Sequence, residues 1–270
     1  MENAQALHPS VLYFSNCWNG WKFWMSYCSY PDNYENPCIA VSNKPNSEWT
    51  TPYGLLNPLD FPFENGTLSD PELVYNPSTD ELWLYYRYTS PISARERIYR
   101  KISKNGVDWS DRVVTSLQQS DKAWQFISPT VLLKGSLCYL WCVDRRAAPE
   151  PFKLFRYQSV DGLQWVEKTE CSFDKNFPYP LTIWHPDIIY IDKTQEYYYK
   201  SQRMYFAKSL DGLHWRIDSL KEFIRLGKHS KWDHDAIYRG SLIFADQILH
   251  VWYTGIHRNQ WRIGYTNVRM

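Results

Sequence analysis

The sequence has no excess of charge of one sign, since 30 basic residues face 29 acidic ones and the formal net charge is +1. It has no long run of either sign, which charge-driven binding to a nucleic acid or an anionic membrane would require. No stretch reaches the roughly 18 apolar residues that span a bilayer, and the first nine residues lack the pattern of a signal peptide. We therefore expect a soluble protein, cytoplasmic as synthesised, without a nucleic-acid or membrane partner.

Cysteine is scarce, with six residues in a chain of 270. This density is far below that of small domains stabilised by disulfides. Cys138 and Cys142 have no second pair at the spacing of a zinc site, and in an alternating strand they share one face. The cysteines are therefore interpreted as reduced and mostly buried thiols.

Helical patterning is also lacking, because no amphipathic segment of 10 to 15 residues separates the apolar runs. This absence disfavours a parallel α/β fold. Aromatic residues, in contrast, make up 17% of the chain, with 14 Trp and 21 Tyr. Aromatic side chains are typical of strands, where they pack on a pleated surface. The composition predicts an all-β protein.

A turn element recurs through the sequence and ends in tryptophan. Its copies are Ser42–Trp49, Ser103–Trp109, Ser159–Trp165 and Ser209–Trp215. The better copies contain Asn-Gly or Asp-Gly, dipeptides that favour tight turns with positive φ. Each copy is therefore predicted to be a turn at the outer edge of a sheet.

A second element recurs between these turns. It consists of a polar residue, which is usually followed by proline, and then an alternating apolar run. It occurs as HPSVLYF at His8, DPELVY at Asp70, SPTVLL at Ser128, HPDIIY at His185 and, without proline, DHDAIY at Asp233 and His234. Proline fits the first residue of a strand, where it disturbs the ladder least. Five copies predict a single five-bladed β-propeller over residues 1–270, with blades at about 8–60, 68–115, 126–170, 183–220 and 232–270. Two sandwich domains are the alternative.

In a propeller the innermost strands open at one mouth of the central axis, and antiparallel neighbours return to the same mouth. Residues at these positions are predicted to form a polar concave site that binds sugar hydroxyls and sugar faces. They are His8, Asn36, Arg87, Ser128, Asp144, Trp184, His185, Asp233, His234 and Arg239, together with the carboxylates Glu35, Asp70 and Asp187. Trp18, Trp21, Trp124 and Trp232 are further aromatic candidates.

These motifs resemble the five-bladed glycoside hydrolases of families 43 and 32. The segments ENP at Glu35, WHPDIIY at Trp184 and WDHDAIYR at Trp232 are similar, in addition, to glycosyl-hydrolase-like proteins of phages and prophages. The resemblance implies a carbohydrate-engaging propeller, with assembly into a phage particle as one expectation. Family 43 enzymes carry Asp, Asp and Glu on blades 1, 3 and 4, whereas this chain has His8, Ser128 and His185 at the corresponding strand openings.

Hydrolysis of a glycosidic bond requires two carboxyl groups on one pocket. If the protein is an enzyme of this type, the sequence offers Glu35 as the acid and Asp70 or Asp187 as the base. The alternatives are a non-catalytic glycan-binding module, such as a phage receptor-binding or tail component, and a structural propeller that binds other proteins. No cofactor is expected; an axial cation held by the histidines and aspartates is the alternative.

Overall fold

The structure is a computed structural model that describes residues 5–30, 34–93, 95–120, 124–145, 152–174, 183–200, 205–219, 224–228 and 231–269. These residues form strands, turns and loops, and no α-helix occurs among them. The described part of the chain accordingly contains no helix with the length and hydropathy needed to span a membrane.

The described residues contain nineteen strands in five sheets, which we call blades 1 to 5 in chain order. Blade 1 contains β1 (Ala6–Trp18), β2 (Trp21–Ser29) and β3 (Asn36–Ser42). Blade 2 contains β4 (Thr67–Asn76), β5 (Glu81–Thr89), β6 (Glu96–Ser103) and β7 (Val113–Gln119). Blade 3 contains β8 (Ile127–Lys134), β9 (Leu137–Asp144), β10 (Lys153–Ser159) and β11 (Val166–Glu170).

Blade 4 contains β13 (Asp187–Ile191), β14 (Glu196–Lys200), β15 (Phe206–Ser209) and β16 (His214–Ser219), and the short β12 (Ser172–Phe173) pairs with β16 in parallel. Blade 5 contains β17 (Ala236–Ala245), β18 (Ile248–His257) and β19 (Gln260–Arg269). Within each blade, consecutive strands pair antiparallel. The first strands of the blades contact one another in the order β1, β4, β8, β13, β17 and back to β1. The predicted five-bladed β-propeller is therefore confirmed.

The Ser-x-Asp-Gly-x-x-Trp turns of blades 3 and 4, and the related Asn-Gly turn of blade 2, join the third and fourth strands and pack against the preceding blade. In blade 3, the Asp161 carboxylate accepts the backbone N–H groups of Leu163 and Gln164, and Gly162 has a φ of 68°. A Cβ atom on Gly162 would lie 2.7 Å from the ring of Trp83 in blade 2, so only glycine permits this approach. A Cβ atom on Gly106 would lie 2.1 Å from the ring of Trp24, and one on Gly212 would lie 2.9 Å from the ring of Trp141.

A ring of hydrogen bonds joins all five blades around the axis. In each blade one side-chain oxygen of the first strand accepts a backbone N–H from the first strand of the next blade. The pairs, acceptor first, are Ser10 and Leu73 at 3.0 Å, Glu72 and Val131 at 3.1 Å, Thr130 and Ile188 at 3.4 Å, Asp187 and Leu242 at 2.6 Å, and Ser241 and Val11 at 3.0 Å. We call these ten residues the inter-blade ring.

The propeller closes between blade 5 and blade 1 by side-chain contacts. The ring bond from Val11 to Ser241 crosses this junction, and the Trp252 indole donates to the Pro45 carbonyl oxygen at 2.9 Å. The blade 1 turn thus contacts Trp252, as the blade 3 turn contacts Trp83. Closure therefore depends on packing between a three-stranded first blade and a three-stranded last blade.

Candidate functional site

Four blades open with the same backbone kink. His8, Asp70, Ser128 and His185 have φ values between 49° and 56°, in the left-handed region that residues other than glycine rarely occupy. Each precedes a proline, which has no N–H to donate and disfavours helical geometry in the residue before it. In blades 1 to 3 the pairing of the first and second strands is interrupted at this point. The kink thus releases one residue per blade from the ladder, and the four side chains meet at the axis.

Tyr238 holds the corresponding position in blade 5. The pairing of β17 with β18 is interrupted between Ile237 and Gly240, at the same place as in the other blades. The Tyr238 ring stacks on His8 with centroids 5.3 Å apart and lies 4.0 Å from the ring of His185. Burial raises the pKa of this phenol well above its usual range, so the hydroxyl stays protonated. Tyr238 therefore forms an uncharged wall beside both histidines.

The interpretation of Asp233 and His234 as the fifth opening pair was wrong, because the residues at the interruption of pairing that marks the openings of blades 1 to 3 are, in blade 5, Tyr238 and Arg239. The Asp233 carboxylate accepts a hydrogen bond from the Tyr253 hydroxyl at 2.8 Å, and His234 Nδ1 lies 3.0 Å from the Gly227 carbonyl oxygen. Blade 5 has no proline after Tyr238, and the DHDAIY segment has a similar pattern that starts five residues earlier, at Asp233. The apolar run after Arg239, aligned with those of the other blades, would have indicated Tyr238.

His8, Asp70 and His185 bring three potential metal ligands together at the axis. The imidazole Nδ1 atoms of His8 and His185 lie 3.5 Å and 3.7 Å from Asp70 Oδ1. All three atoms lie within 4.8 Å of one another. Ligands bound tetrahedrally at about 2.1 Å from a zinc-like ion are separated by roughly 3.4 Å, so the spacing fits a divalent transition-metal ion. We call these three residues the axial cluster.

Several atoms around the axial cluster are buried without a hydrogen bond from the described residues. They are both ring nitrogens of His8, Nε2 of His185 and Oε2 of Glu35. Glu35 Oε2 lies 3.3 Å from His8 Nδ1, and its side chain is 21% exposed at the mouth. Buried polar atoms are nearly always paired in folded proteins, so unpaired ones indicate a bound ion, water or ligand. The predicted residues His8, Glu35 and His185 thus surround a place suited to a ligand.

Two arginines hold Asp70 ionised. Arg87 Nη1 and Arg239 Nη1 lie 3.1 Å and 3.3 Å from its two carboxylate oxygens. Burial alone would raise the pKa of Asp70, but the positive charges around it, including those of Arg239 and Arg87, outweigh it and hold the pKa far below its usual range. Arg87 also pairs with Glu96 at 2.7 Å, and Arg239 with Glu72 at 2.9 Å. Asp70 is therefore a permanent anion at the centre of the mouth.

His185 is buried and neutral. Burial lowers its pKa well below 6.5 against the attraction of Asp70, and the positive charge of Arg239 lowers it further. A neutral imidazole is the form that binds a metal ion. Ser128, also a predicted site residue, places its hydroxyl against His185 Nδ1 and 3.1 Å from Asp70 Oδ1. Ser128 thus supports two members of the axial cluster from blade 3.

Asp187 lies one layer below the mouth. Its carboxylate accepts the Leu242 N–H in the inter-blade ring and lies close to the ammonium group of Lys200. Lys200 is fully buried, and its Nζ atom makes no hydrogen bond with the described residues. Burial lowers its pKa to about 7, although Asp187 acts in the opposite direction. The structure therefore separates Asp187 from Glu35 and Asp70 and gives it an inter-blade hydrogen bond.

The other predicted site residues lie around the rim. Trp184 contacts His185 edge to face at 5.3 Å. Asp144 is buried, with its carboxylate 3.6 Å from Lys168 Nζ. Asn36 is buried at the start of β3, and its side-chain oxygen has no hydrogen bond from the described residues.

Sequence reasoning missed the buried acids Glu72 and Glu96. Glu72 follows Pro71 as Asp187 follows Pro186, which is a repeat position that could have been recognised. Glu96 opens a third strand, and its carboxylate accepts the backbone N–H groups of Gln125 and Phe126 from blade 3.

The chain is similar to one curated protein with a named activity, while no protein-family model matches it. The relative is the A type blood N-acetyl-alpha-D-galactosamine deacetylase of Flavonifractor plautii, with 24% identity over an alignment of 318 residues. The match covers 94% of this chain but only 40% of that protein. The chain thus spans less than half the length of this relative.

Solved structures show the same fold. An N-acetylgalactosamine deacetylase from F. plautii, in complex with blood group B trisaccharide, superposes with a TM-score of 0.85 at 22% identity, covering 98% of this chain and 89% of that one. A thermostable family-43 glycoside hydrolase gives 0.72 at 13% identity, covering 99% and 90%. The GH62 alpha-L-arabinofuranosidase domain of Coprinopsis cinerea gives 0.69 at 16% identity, covering 98% and 92%. The expected likeness to glycoside-hydrolase propellers is therefore confirmed at the level of the fold.

Proposed function

We propose that this protein is a carbohydrate deacetylase that hydrolyses the N-acetyl group of an amino sugar at the axial cluster. The observation that carries the proposal is the convergence of His8, Asp70 and His185 on one set of cation-ligating atoms, with His8 and His185 at two of the positions where family 43 enzymes carry carboxyl groups. The similarity to an N-acetylgalactosamine deacetylase over 94% of the chain supports an amide of an acetylated sugar as the bond that is cleaved.

The residues of the mouth have separate roles in this reaction. A divalent cation held by His8, Asp70 and His185 would polarise the amide carbonyl and lower the pKa of a water molecule. Glu35 is partly exposed beside His8 and is suited to accept the proton of that water and to transfer it to the leaving nitrogen. The oxygen of water forms a bond to the carbonyl carbon, the carbon–nitrogen bond breaks, and the products are acetate and a free amino sugar.

Cleavage of a glycosidic bond by Glu35, Asp70 and Asp187 has less support. A glycosidase requires one carboxyl group that carries a proton. Asp70 is held as an anion by Arg87 and Arg239, and Asp187 accepts a backbone N–H one layer deeper. Non-catalytic glycan binding, and membership of a phage particle, stay predictions from the sequence.

The test is release of acetate from N-acetylated oligosaccharides, with reducing ends counted in the same samples. We expect acetate without new reducing ends, loss of activity after chelation, and recovery on adding zinc, manganese or cobalt ions. Glu35→Gln should lower kcat at least about 100-fold, the usual scale for loss of a general base. New reducing ends without acetate would overturn the proposal in favour of a glycosidase.

Metal binding is measured separately by calorimetry on chelator-treated protein. His8→Gln and His185→Gln should abolish binding, whereas His214→Gln should leave it unchanged, because His214 is 75% exposed on blade 4 beside Asp211. Equal binding by all three variants would exclude the axial cluster as the metal site.

A further inference from the structure

Trp124 has an unusual backbone beside the mouth. Its φ is 79°, in a region that is strained for a bulky side chain, and 47% of its surface is exposed. Strained residues of this kind persist where the surrounding structure holds them, and they concentrate at binding sites. The Trp124 ring lies 5.2 Å from the guanidinium of Arg87, which itself contacts Asp70. Trp124 is therefore connected to the axial cluster through one residue.

Arg145 is surrounded by aromatic rings. Its guanidinium carbon lies 5.5 Å from the ring centroids of Trp124, Phe152 and Trp184, and its backbone N–H donates to the Trp124 carbonyl oxygen at 2.8 Å. Arg145 is exposed, and these cation–π contacts favour an orientation of its guanidinium against the rings. Among the described residues, no carboxylate lies within ion-pair distance of Arg145, since the neighbouring Asp144 pairs with Lys168. Arg145 is thus an oriented cation without an anionic partner in the described part of the chain.

Two aromatic neighbours of Arg145 also contact residues of the mouth. Trp184, one of its three aromatic neighbours, contacts the ring of His185, a member of the axial cluster. Trp124, another neighbour, lies over Arg87. Arg145 therefore stands on the blade 3 and blade 4 side of the mouth, one aromatic ring away from both His185 and Arg87.

We propose that Arg145, oriented by Trp124, Phe152 and Trp184, binds the carboxylate of an acidic sugar adjacent to the N-acetylated sugar. This inference rests on the proposed function for the location of the acetylated sugar. Rings that cover the faces of a guanidinium leave its N–H groups at the edge, and that edge matches a carboxylate with two parallel hydrogen bonds. The substrate class is thus an oligosaccharide in which an N-acetylated amino sugar neighbours a uronic acid.

The experiment compares an oligosaccharide of alternating N-acetylhexosamine and uronic acid with the same oligosaccharide after reduction of its carboxyl groups to alcohols. Wild-type protein should deacetylate the acidic form with a kcat/KM about tenfold or more above that of the reduced form, the scale of one charged hydrogen-bonding pair. Arg145→Gln should remove this preference, mainly through KM. Arg145→Lys should restore part of it, because the charge returns without the planar edge. Arg216→Gln, which removes an arginine side chain 73% exposed on blade 4, should leave the preference intact.

Equal kcat/KM values of the wild type for the two forms would overturn the inference, as would an equal loss for both forms in Arg145→Gln. Calorimetric binding of the same two oligosaccharides separates this inference from the proposed function. A preference in binding for the acidic form that Arg145→Gln removes, without release of acetate, would support the acidic-sugar subsite and reject the deacetylase. Release of acetate without any preference would support the deacetylase and reject the subsite.

Discussion

Val11 in blade 1 donates its backbone N–H to the Ser241 hydroxyl in blade 5, at 3.0 Å, and this bond completes the inter-blade ring. Both residues are buried. Without the hydroxyl, the N–H would be left unpaired in a place that water does not reach. The last of five such bonds is therefore the one that joins the two ends of the propeller.

We predict that Ser241→Ala lowers the free energy of unfolding by about 1 to 3 kcal/mol, the cost of leaving one buried donor unpaired. Urea unfolding followed by tryptophan fluorescence measures the change. Ser26→Ala is the matched control, because Ser26 is fully buried and its hydroxyl has no hydrogen bond with the described residues. Equal losses in the two variants would show that the ring bond contributes nothing beyond ordinary packing.

We predict that Arg239→Met destabilises the fold by about 3 to 5 kcal/mol, the usual cost of removing one partner of a buried ion pair. Arg239 is 1% exposed and pairs with both Asp70 and Glu72. Burial already raises the pKa of Glu72 to about 7, with Arg239 acting against it. Adding Glu72→Gln should recover part of the stability, because the amide oxygen still accepts the Val131 N–H. A double variant as unstable as the single one would contradict this account.

The sequence predicts the blades well because the residues in their turns favour one local backbone conformation. Asp-Gly and Asn-Gly pairs indicate the positive φ values found at Gly106, Gly162 and Gly212, and X-Pro pairs mark four of the five strand openings. The fifth opening, at Tyr238, has neither signal, although the pairing of β17 with β18 is interrupted there, between Ile237 and Gly240. The partners of Asp70 could not be predicted from the sequence either, since Arg239 lies 169 residues from Asp70 along the chain. Side-chain pairing across the axis follows from three-dimensional closure, which no local pattern encodes.

We predict that Asp161→Asn is nearly neutral at pH 7, whereas Asp161→Ala costs about 1 kcal/mol. Asn105 shows why, because its amide oxygen accepts two backbone N–H groups in blade 2 just as Asp161 does in blade 3. Thermal unfolding of the three proteins at pH 7 measures the difference. If Asn and Ala destabilise equally, the two accepted hydrogen bonds are not the source of the effect.

The same variants give a pH dependence. Burial acts to raise the pKa of Asp161, but hydrogen bonds from Gln164 and Leu163 outweigh it and lower the pKa. A lowered folded-state pKa stabilises the protein above the unfolded value of about 3.9, and this contribution is lost as the pH falls through the folded-state pKa. The free energy of unfolding of the wild type should therefore decrease, relative to that of Asp161→Asn, as the pH is lowered from about 5 to about 2, which is the range over which such carboxylates titrate. A difference independent of pH would contradict the assignment.

We predict that Gly106→Ala is more destabilising than Gly135→Ala. Both glycines have positive φ, 75° and 63°, so both variants incur the backbone strain of about 1 kcal/mol. A Cβ atom on Gly106 would lie 2.1 Å from the Trp24 ring, while nothing lies within 4 Å of one on Gly135. Overlap with a buried ring adds about 1 to 3 kcal/mol, measurable by urea unfolding. Equal losses would show that the turn does not press on Trp24.

The backbone kink before each proline determines which residues present their side chains at the axis. Because the kink is a property of the backbone, it directs the side chain at each of the positions His8, Asp70, Ser128 and His185 toward the axis. The hydrogen bonds of the inter-blade ring, which lies below, join the blades. A substitution at His8 or His185 would change the side chain presented at the mouth while the ring residues two positions later stay in place, whereas Asp70 also pairs with Arg239 of blade 5 and cannot be exchanged without breaking that ion pair. The side chain at the axis and the hydrogen bond between blades thus belong to different residues, two positions apart along the chain.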